Sequence, residues 1–196
     1  ALRREADAAV VVTDAGARRF DAVICATHSD QALAVLQDAS VEEREVLGQV
    51  PYASNRALLH TDVSLMPKRR WAWSSWNALL TSDRLSDAPI GVTYWMNKLQ
   101  NISAQRAGDT QYILSLNPPR EPAAGSVLYE TRYAHPQYTP ATIAAQKRLP
   151  KIQGRNRIWW AGAWTAYGFH EDGLKSGLRA VAGVDPDSLP KWAVGI

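Results

Sequence analysis

At 196 residues, with 46% apolar and 21% charged side chains, the chain is long enough for one ordinary domain with a sizeable core, and its composition excludes a disordered tract. Twenty-two basic against nineteen acidic residues leave a net charge of +3, too slight and too evenly spread for a nucleic-acid binder. One cysteine, Cys25, excludes an internal disulfide framework and a cysteine-based metal site. No apolar run reaches the roughly 18 residues of a membrane span and no signal peptide opens the chain, so the expected location is cytoplasmic, with membrane association left open. Eight tryptophans stand against two phenylalanines. Tryptophan pairs a large apolar body with one donor that needs an acceptor, so the chain is expected to surround something planar or oily.

The chain starts as if cut. Residues 8–14 read as a strand, 15–18 as its turn and 20–26 as the return strand, with Cys25 buried and inert near its end. A hairpin this early has nothing upstream to pair with, and an isolated hairpin is marginal in water, so its partner sheet is expected elsewhere, outside these residues. Ser29 is placed to cap a helix over 30–37 with Ala32, Leu33 and Leu36 on one face. Ser40 and Glu43 have capping-box spacing and open a second helix through Leu47. From residue 51 to about 133 the pattern changes to short strands at 57–60, 71–76, 91–96 and 111–116, with loops at 82–89 and 117–122. Trp71, Trp73 and Trp95 fit one face of an antiparallel sheet, either packed in a core or forming the wall of an apolar substrate cavity. Asp62 reads as a turn residue.

The end of the chain carries the most information. Residues 157–161 form a short buried strand that leads through Gly162 into a helix opening near His170, Glu171 and Asp172, with Lys175 and Arg179 later and Gly183 near its end. Gly173 and Gly177 share one helix face, and each weakens the helix by about 0.8–1 kcal/mol relative to alanine, which suggests a close approach there. Residues 185–196 are an extended tail. A strand, a glycine turn and a helix start present free N–H groups to an anionic or electron-rich atom; a plain packing turn fits the same pattern. There is no P-loop and no G-x-G-x-x-G. His28, His60, His135 and His170 lack zinc-ligand spacing, so no metal is expected, and without a G-x-S-x-G elbow hydrolysis has no support. No catalytic acid or base is identifiable.

The run Trp159-Trp-Ala-Gly-Ala-Trp-Thr-Ala-Tyr-Gly-Phe-His-Glu-Asp-Gly-Leu-Lys-Ser-Gly-Leu178 resembles the C-terminal FAD-binding motif of the flavin-containing amine oxidase superfamily, and within it a bacterial and plant branch of predicted NAD/FAD-binding oxidoreductases. Residues 20–28, 58–62, 71–77, 94–100, 116–118, 133–136 and 145–146 fit that branch in order. The resemblance implies an α/β (α+β) fold: the C-terminal part of a glutathione-reductase-like FAD domain, interleaved with a mixed-sheet substrate domain. Residues 1–36 would return the chain to the FAD domain, 37–140 would be substrate domain, 141–184 would complete the FAD site and 185–196 would be tail. It makes Ala26 and Thr27 cofactor-binding where the chain returns to the FAD domain, and places Gly162, Ala163 and Trp164 near the cofactor's pyrophosphate and ribityl chain. His170, Glu171, Asp172, Gly173 and Leu174 fall near the flavin pyrimidine, and Phe169 where an aromatic residue faces the ring. The glycine-rich amino-terminal unit is absent, and Ala163 replaces the usual acid. Lys98 is the candidate for the lysine that holds a water near the flavin.

The implied function is that of an FAD-dependent oxidoreductase, with non-covalent FAD and hydride transfer from an apolar or amine substrate, lipid-like molecules included. Its implied partner is a missing N-terminal FAD-binding segment; this fragment alone would be inactive. The rivals are a truncated remnant that binds no flavin and an aromatic-rich module for lipids or sugars.

Overall fold

The computed structural model describes residues 1–79 and 91–193, so the loop expected at 82–89 and the last three residues of the tail lie outside the described residues. β1 (Leu2–Arg4), β2 (Ala9–Thr13) and β3 (Gly16–Phe20) form an antiparallel meander. Two expectations are corrected here. The return strand is residues 16–20, directly after a turn at Asp14 and Ala15, with Gly16 at φ 113°. The hairpin's partner is β1, where Leu2 faces Val11. The apolar run at 20–26 instead breaks at Asp21 and supplies β4 (Val23–Cys25) to a different sheet. Cys25 is half-buried rather than buried, its Sγ 3.5 Å from Thr27 Oγ1.

α1 (Ser29–Val35) starts one residue early, with His28 at the N-cap. Ser29 does not cap it. It is buried in the first turn, and its N–H donates to the Tyr52 hydroxyl at 2.9 Å. α2 (Val41–Leu47) opens on the expected capping box, in which Ser40 Oγ accepts from Glu43 N at 3.2 Å and Glu43 returns the bond to Ser40 N at 2.8 Å. β5 (Tyr52–His60), β6 (Trp76–Leu79) and β7 (Gly91–Trp95) follow. The strand expected at 71–76 forms only at Trp76, the start of β6; residues 71 and 72 belong to a 3-10 turn, Arg70–Ala72, and Trp71 is 80% exposed rather than in a core. Next come α3 (Met96–Leu99), α4 (Ala104–Ala107), β8 (Ile113–Leu116) and β9 (Val127–Pro136). α5 (Pro140–Gln146) has proline in its first turn and Thr139 accepting from Thr142 N at 3.1 Å. β10 (Ile158–Trp160) and the 15-residue α6 (His170–Val184) close the chain.

These elements divide into two compact units. Residues 1–52 and 136–196 hold the meander, the parallel pair β4–β10 and helices α1, α2, α5 and α6. Their core gathers Leu2, Leu36, Leu47, Ile152, Ile158 and Trp160. At its edge Arg4 pairs with Asp38 and, nearly out of solvent, with Glu43. Residues 53–135 are built on a five-stranded sheet in the order β6-β7-β8-β5-β9.

That sheet is sided in an unusual sense. The register sets Asn77, Thr93, Ser115 and Leu58 in one row across β6, β7, β8 and β5, and all four are buried. The opposite face carries the row Trp76, Tyr94, Leu114 and Leu59, of which Trp76 is 63% exposed and the others are half-buried. Polar residues face the interior, beside Met66 and Trp73, and apolar ones line the open face.

Candidate functional site

The parallel register of β4 and β10 pairs Val23 with Ile158 and Cys25 with Trp160. The two strands therefore end side by side. Beyond them Ala26, Thr27 and His28 lead into α1, and Gly162, Ala163 and Trp164 lead toward α6. Ala161 N donates to Cys25 O at 3.0 Å, and the Trp164 indole N–H donates to Thr27 O at 3.1 Å, joining the two turns. In open parallel sheets the crevice beyond adjacent carboxyl ends is where ligands bind. The outer edge of β10 is closed: Gln153 donates to Trp160 O at 2.7 Å and accepts from Trp160 N at 2.8 Å, and Gly154 N donates to Ile158 O. Among the described residues no strand pairs with the other edge of β4.

The turn after β10 is held from several sides. Gly162 has φ 149°, and a Cβ there would stand 2.6 Å from the Trp164 indole nitrogen, so only glycine fits. Ser176 Oγ, from the second turn of α6, accepts from Gly162 N at 2.8 Å and lies 2.8 Å from Gly173 O. Thr165 Oγ1 donates to Gly162 O at 2.8 Å. The Gln146 carboxamide donates to both Trp164 O and Ala166 O, at 2.8 and 2.7 Å. Sequence reasoning assigned neither Gln146 nor Ser176 a role, because a lone glutamine and a lone serine on helices carry no spacing signal.

At the start of α6 the Asp172 carboxylate turns back and accepts from Tyr167 N and Phe169 N, at 3.1 and 3.0 Å. Glu171 pairs with Lys175 at 3.5 Å. Both acids are thus engaged. Among the described residues no acceptor is bonded to the N–H groups of Ala163, Trp164, His170 and Glu171. The rings of Tyr167 and Phe169 are 73% and 70% exposed, and Leu174 is also exposed. Gly173 packs on this turn, its Cβ position 3.7 Å from Ala163 N. Gly177 has nothing within 4 Å, so no other described part of the chain approaches it, and the tightly packed glycine of α6 is Gly183, against Trp159.

Two tyrosines line the same end of this unit. Tyr52 caps α1 through its hydroxyl and stacks on His28 at 4.5 Å between centroids. Burial pushes its phenol above the usual range against the opposing bonds from Ser29, with Asp30 adding to the rise. Tyr138 lies where a Cβ on Gly168 would strike its hydroxyl, and burial, Tyr52 and Asp172 raise its pKa. Among the described residues no three His, Cys, Asp or Glu side chains gather as for a metal ion. Lys98 is exposed on α3.

His60 has a structural place in the second unit. It is buried, with Nε2 2.8 Å from Ser115 Oγ and Nδ1 without a partner among the described residues. Burial pushes its pKa down, and the charge of Asp62 offsets this only in part. The folded form holds the neutral ring, whereas the unfolded chain takes up a proton near pH ~6.5. Stability supplied by this neutral site is present above that value and is lost as pH falls toward the lower folded pKa. Melting curves from pH 7 to pH 5 are expected to show a falling Tm, with a shallower slope in His60→Gln. An unchanged slope in the variant would assign the acid sensitivity to other groups.

No family model and no curated protein matches this chain. Solved structures do. A CLA-producing fatty acid isomerase from P. acnes is similar with a TM-score of 0.61 at 12% identity, covering 92% of this chain and 45% of its own. A reduced UDP-galactopyranose mutase is similar with a TM-score of 0.62 at 12% identity, covering 100% of this chain and 48% of its own. The chain shares the fold of the corresponding part of these structures. The chain spans about half the length of the solved structures it matches. Among the described residues no helix is long and apolar enough to cross a membrane.

Proposed function

We propose that this chain is the C-terminal portion of an FAD-dependent oxidoreductase that takes hydride from an apolar or amine substrate. The observation that carries the reading is the crevice at the carboxyl ends of β4 and β10 with the start of α6, where among the described residues the N–H groups of Ala163, Trp164, His170 and Glu171 have no bonded acceptor. These donors fit an anionic, carbonyl-bearing cofactor. The N–H groups of Ala163 and Trp164 would hold the pyrophosphate and ribityl oxygens, with Ala26 and Thr27 opposite. Those of His170 and Glu171 would hold the pyrimidine end, with Phe169, Gly173 and Leu174 beside it. Bound non-covalently, FAD would supply a two-electron acceptor for the substrate's hydride.

The chain's own contribution is to bind, orient and exclude water. A helix N-terminus favours negative charge by about 0.3–2 kcal/mol, so the start of α6 would favour an electron-rich or anionic group held against it. The apolar row of Trp76, Tyr94, Leu114 and Leu59, with Trp76 exposed and the others half-buried, supports a substrate with little polar surface, since a solvent-facing apolar patch favours an apolar ligand. The edge of β4 that no strand pairs with among the described residues supports a partner segment that adds a parallel strand there and brings a phosphate-cradling loop.

Flavin content tests this reading. The 196-residue chain alone is expected to purify colourless, and the complete protein with FAD that acid precipitation releases. In the complete protein, Gly173→Val is expected to lose most of its flavin while folding stability changes by no more than about 1 kcal/mol. The added Cβ meets only ordinary contact, but its methyl groups would spread over the amide of Ala163. Full flavin occupancy in this variant would move the cofactor away from the start of α6.

A further inference from the structure

We propose that the turn at residues 67–73 docks the protein on an anionic lipid bilayer. This goes beyond the flavin reading and rests on a separate part of the molecule. Trp71 is 80% exposed, the most exposed large apolar side chain among the described residues. It follows Lys68, Arg69 and Arg70, and from residue 63 to residue 82 the chain carries no aspartate or glutamate. Among the described residues neither Lys68 nor Arg69 forms an ion pair, and both are exposed.

The turn is built to present these groups. Beneath it the Trp73 indole N–H donates to Pro67 O at 2.8 Å, and Trp73 packs edge-on against Trp95 at 5.2 Å. The Arg70 guanidinium lies 4.5 Å over Trp73 and 5.5 Å over Trp95 and bonds Gln111 Oε1 at 3.3 Å. Backbone bonds from Ala72 N to Arg69 O and from Trp73 N to Arg70 O fix the 3-10 turn. One tryptophan and one arginine therefore anchor the turn, while Trp71 and the remaining two bases project from it. Trp95 leads directly into α3, whose Lys98 and Leu99 are exposed as well.

An exposed indole with Arg69 5.8 Å over its ring and Lys68 nearby, neither base in an ion pair among the described residues, matches the interface of an acidic bilayer, where the ring sits at headgroup level and the cations face phosphate. Trp192 provides a contrast, since it is 68% exposed beside a single lysine, Lys191.

Sedimentation with vesicles of phosphatidylcholine containing a minority of phosphatidylglycerol tests the assignment on the 196-residue chain. Binding is expected at low salt, to weaken at high salt, and to be absent on phosphatidylcholine alone. Lys68→Gln with Arg69→Gln should lower partitioning by about 25-fold, at roughly fivefold per charge. Trp71→Ala should lower it several-fold, and brominated lipid should quench wild-type fluorescence more than that of Trp71→Ala. Lys147→Gln with Lys151→Gln, which removes the same charge from the other unit, and Trp192→Ala should leave binding near wild type. Equal losses in those controls, no vesicle binding at all, or binding of duplex DNA rather than vesicles that the Lys68 and Arg69 changes abolish would each overturn the proposal.

Discussion

Replacing Glu43 by alanine is expected to destabilise the first unit by about 3–4 kcal/mol, lowering Tm by about 10 °C. The Glu43 side chain is 3% exposed and that of Arg4 10%, and the Arg4 Nε is already buried without a partner. Removing the carboxylate leaves a nearly buried guanidinium with only Asp38 opposite it and also breaks the capping box at Ser40. Breaking a buried pair costs more than the pair itself contributes, because the stranded charge cannot recover its water. Asp38→Ala removes a carboxylate that is 41% exposed and should cost less than about 1 kcal/mol. The double variant Arg4→Met, Glu43→Leu should recover most of the loss, since neither charge then remains to be solvated. Denaturant and thermal melts of the three proteins check this. A loss below 1 kcal/mol in Glu43→Ala would mean that water reaches Arg4 freely.

Gly183→Val should cost about 2–3 kcal/mol, although helix propensity alone favours replacing glycine. A Cβ at this position would strike the Trp159 indole nitrogen and stand 3.0 Å from its Cδ1. Gly154 packs on the same ring, so close that a Cβ there would be 3.0 Å from Trp159 Cζ2. Gly177→Ala, on the same helix with nothing within 4 Å, should instead stabilise by up to about 1 kcal/mol. Melting curves of both variants should move in opposite directions. A Gly183→Val protein as stable as wild type would show that α6 can slide on β10.

Local signals found several elements because their causes are local. The capping box of α2 depends on four consecutive residues, and the dipole pattern at Glu171 and Asp172 on one helix turn. β9 escaped notice because its Glu130 and Arg132 interrupt any apolar alternation along a strand that is exposed for most of its length. The cap on α1 was misassigned to Ser29 because Tyr52, which supplies it, lies 23 residues away. The meander was shifted for a related reason: the apolar run at 20–26 looks like a return strand until β10 offers its middle residues a parallel partner 135 positions later.

For the candidate site, the sequence by itself determined the turn chemistry: a glycine after a short strand, acids opening a helix, and a run of residues resembling a flavin motif. Only the tertiary structure decided that residues 26–27 and 162–164 meet, since that follows from the parallel register and from Trp164 reaching Thr27. It also decided which face of the larger sheet is open. Alternation alone would bury Trp76, Tyr94, Leu114 and Leu59 and leave Asn77, Thr93 and Ser115 in water. The chain instead buries that polar row and leaves the apolar one half-buried, with Trp76 exposed: Ser115 bonds His60 and Asn77 bonds Ser74, Met66 and Trp73 pack over that side, and among the described residues only the Thr93 hydroxyl of the row lacks a partner. Burial of a polar group depends on the partners folding brings to it, and no window along the sequence contains them.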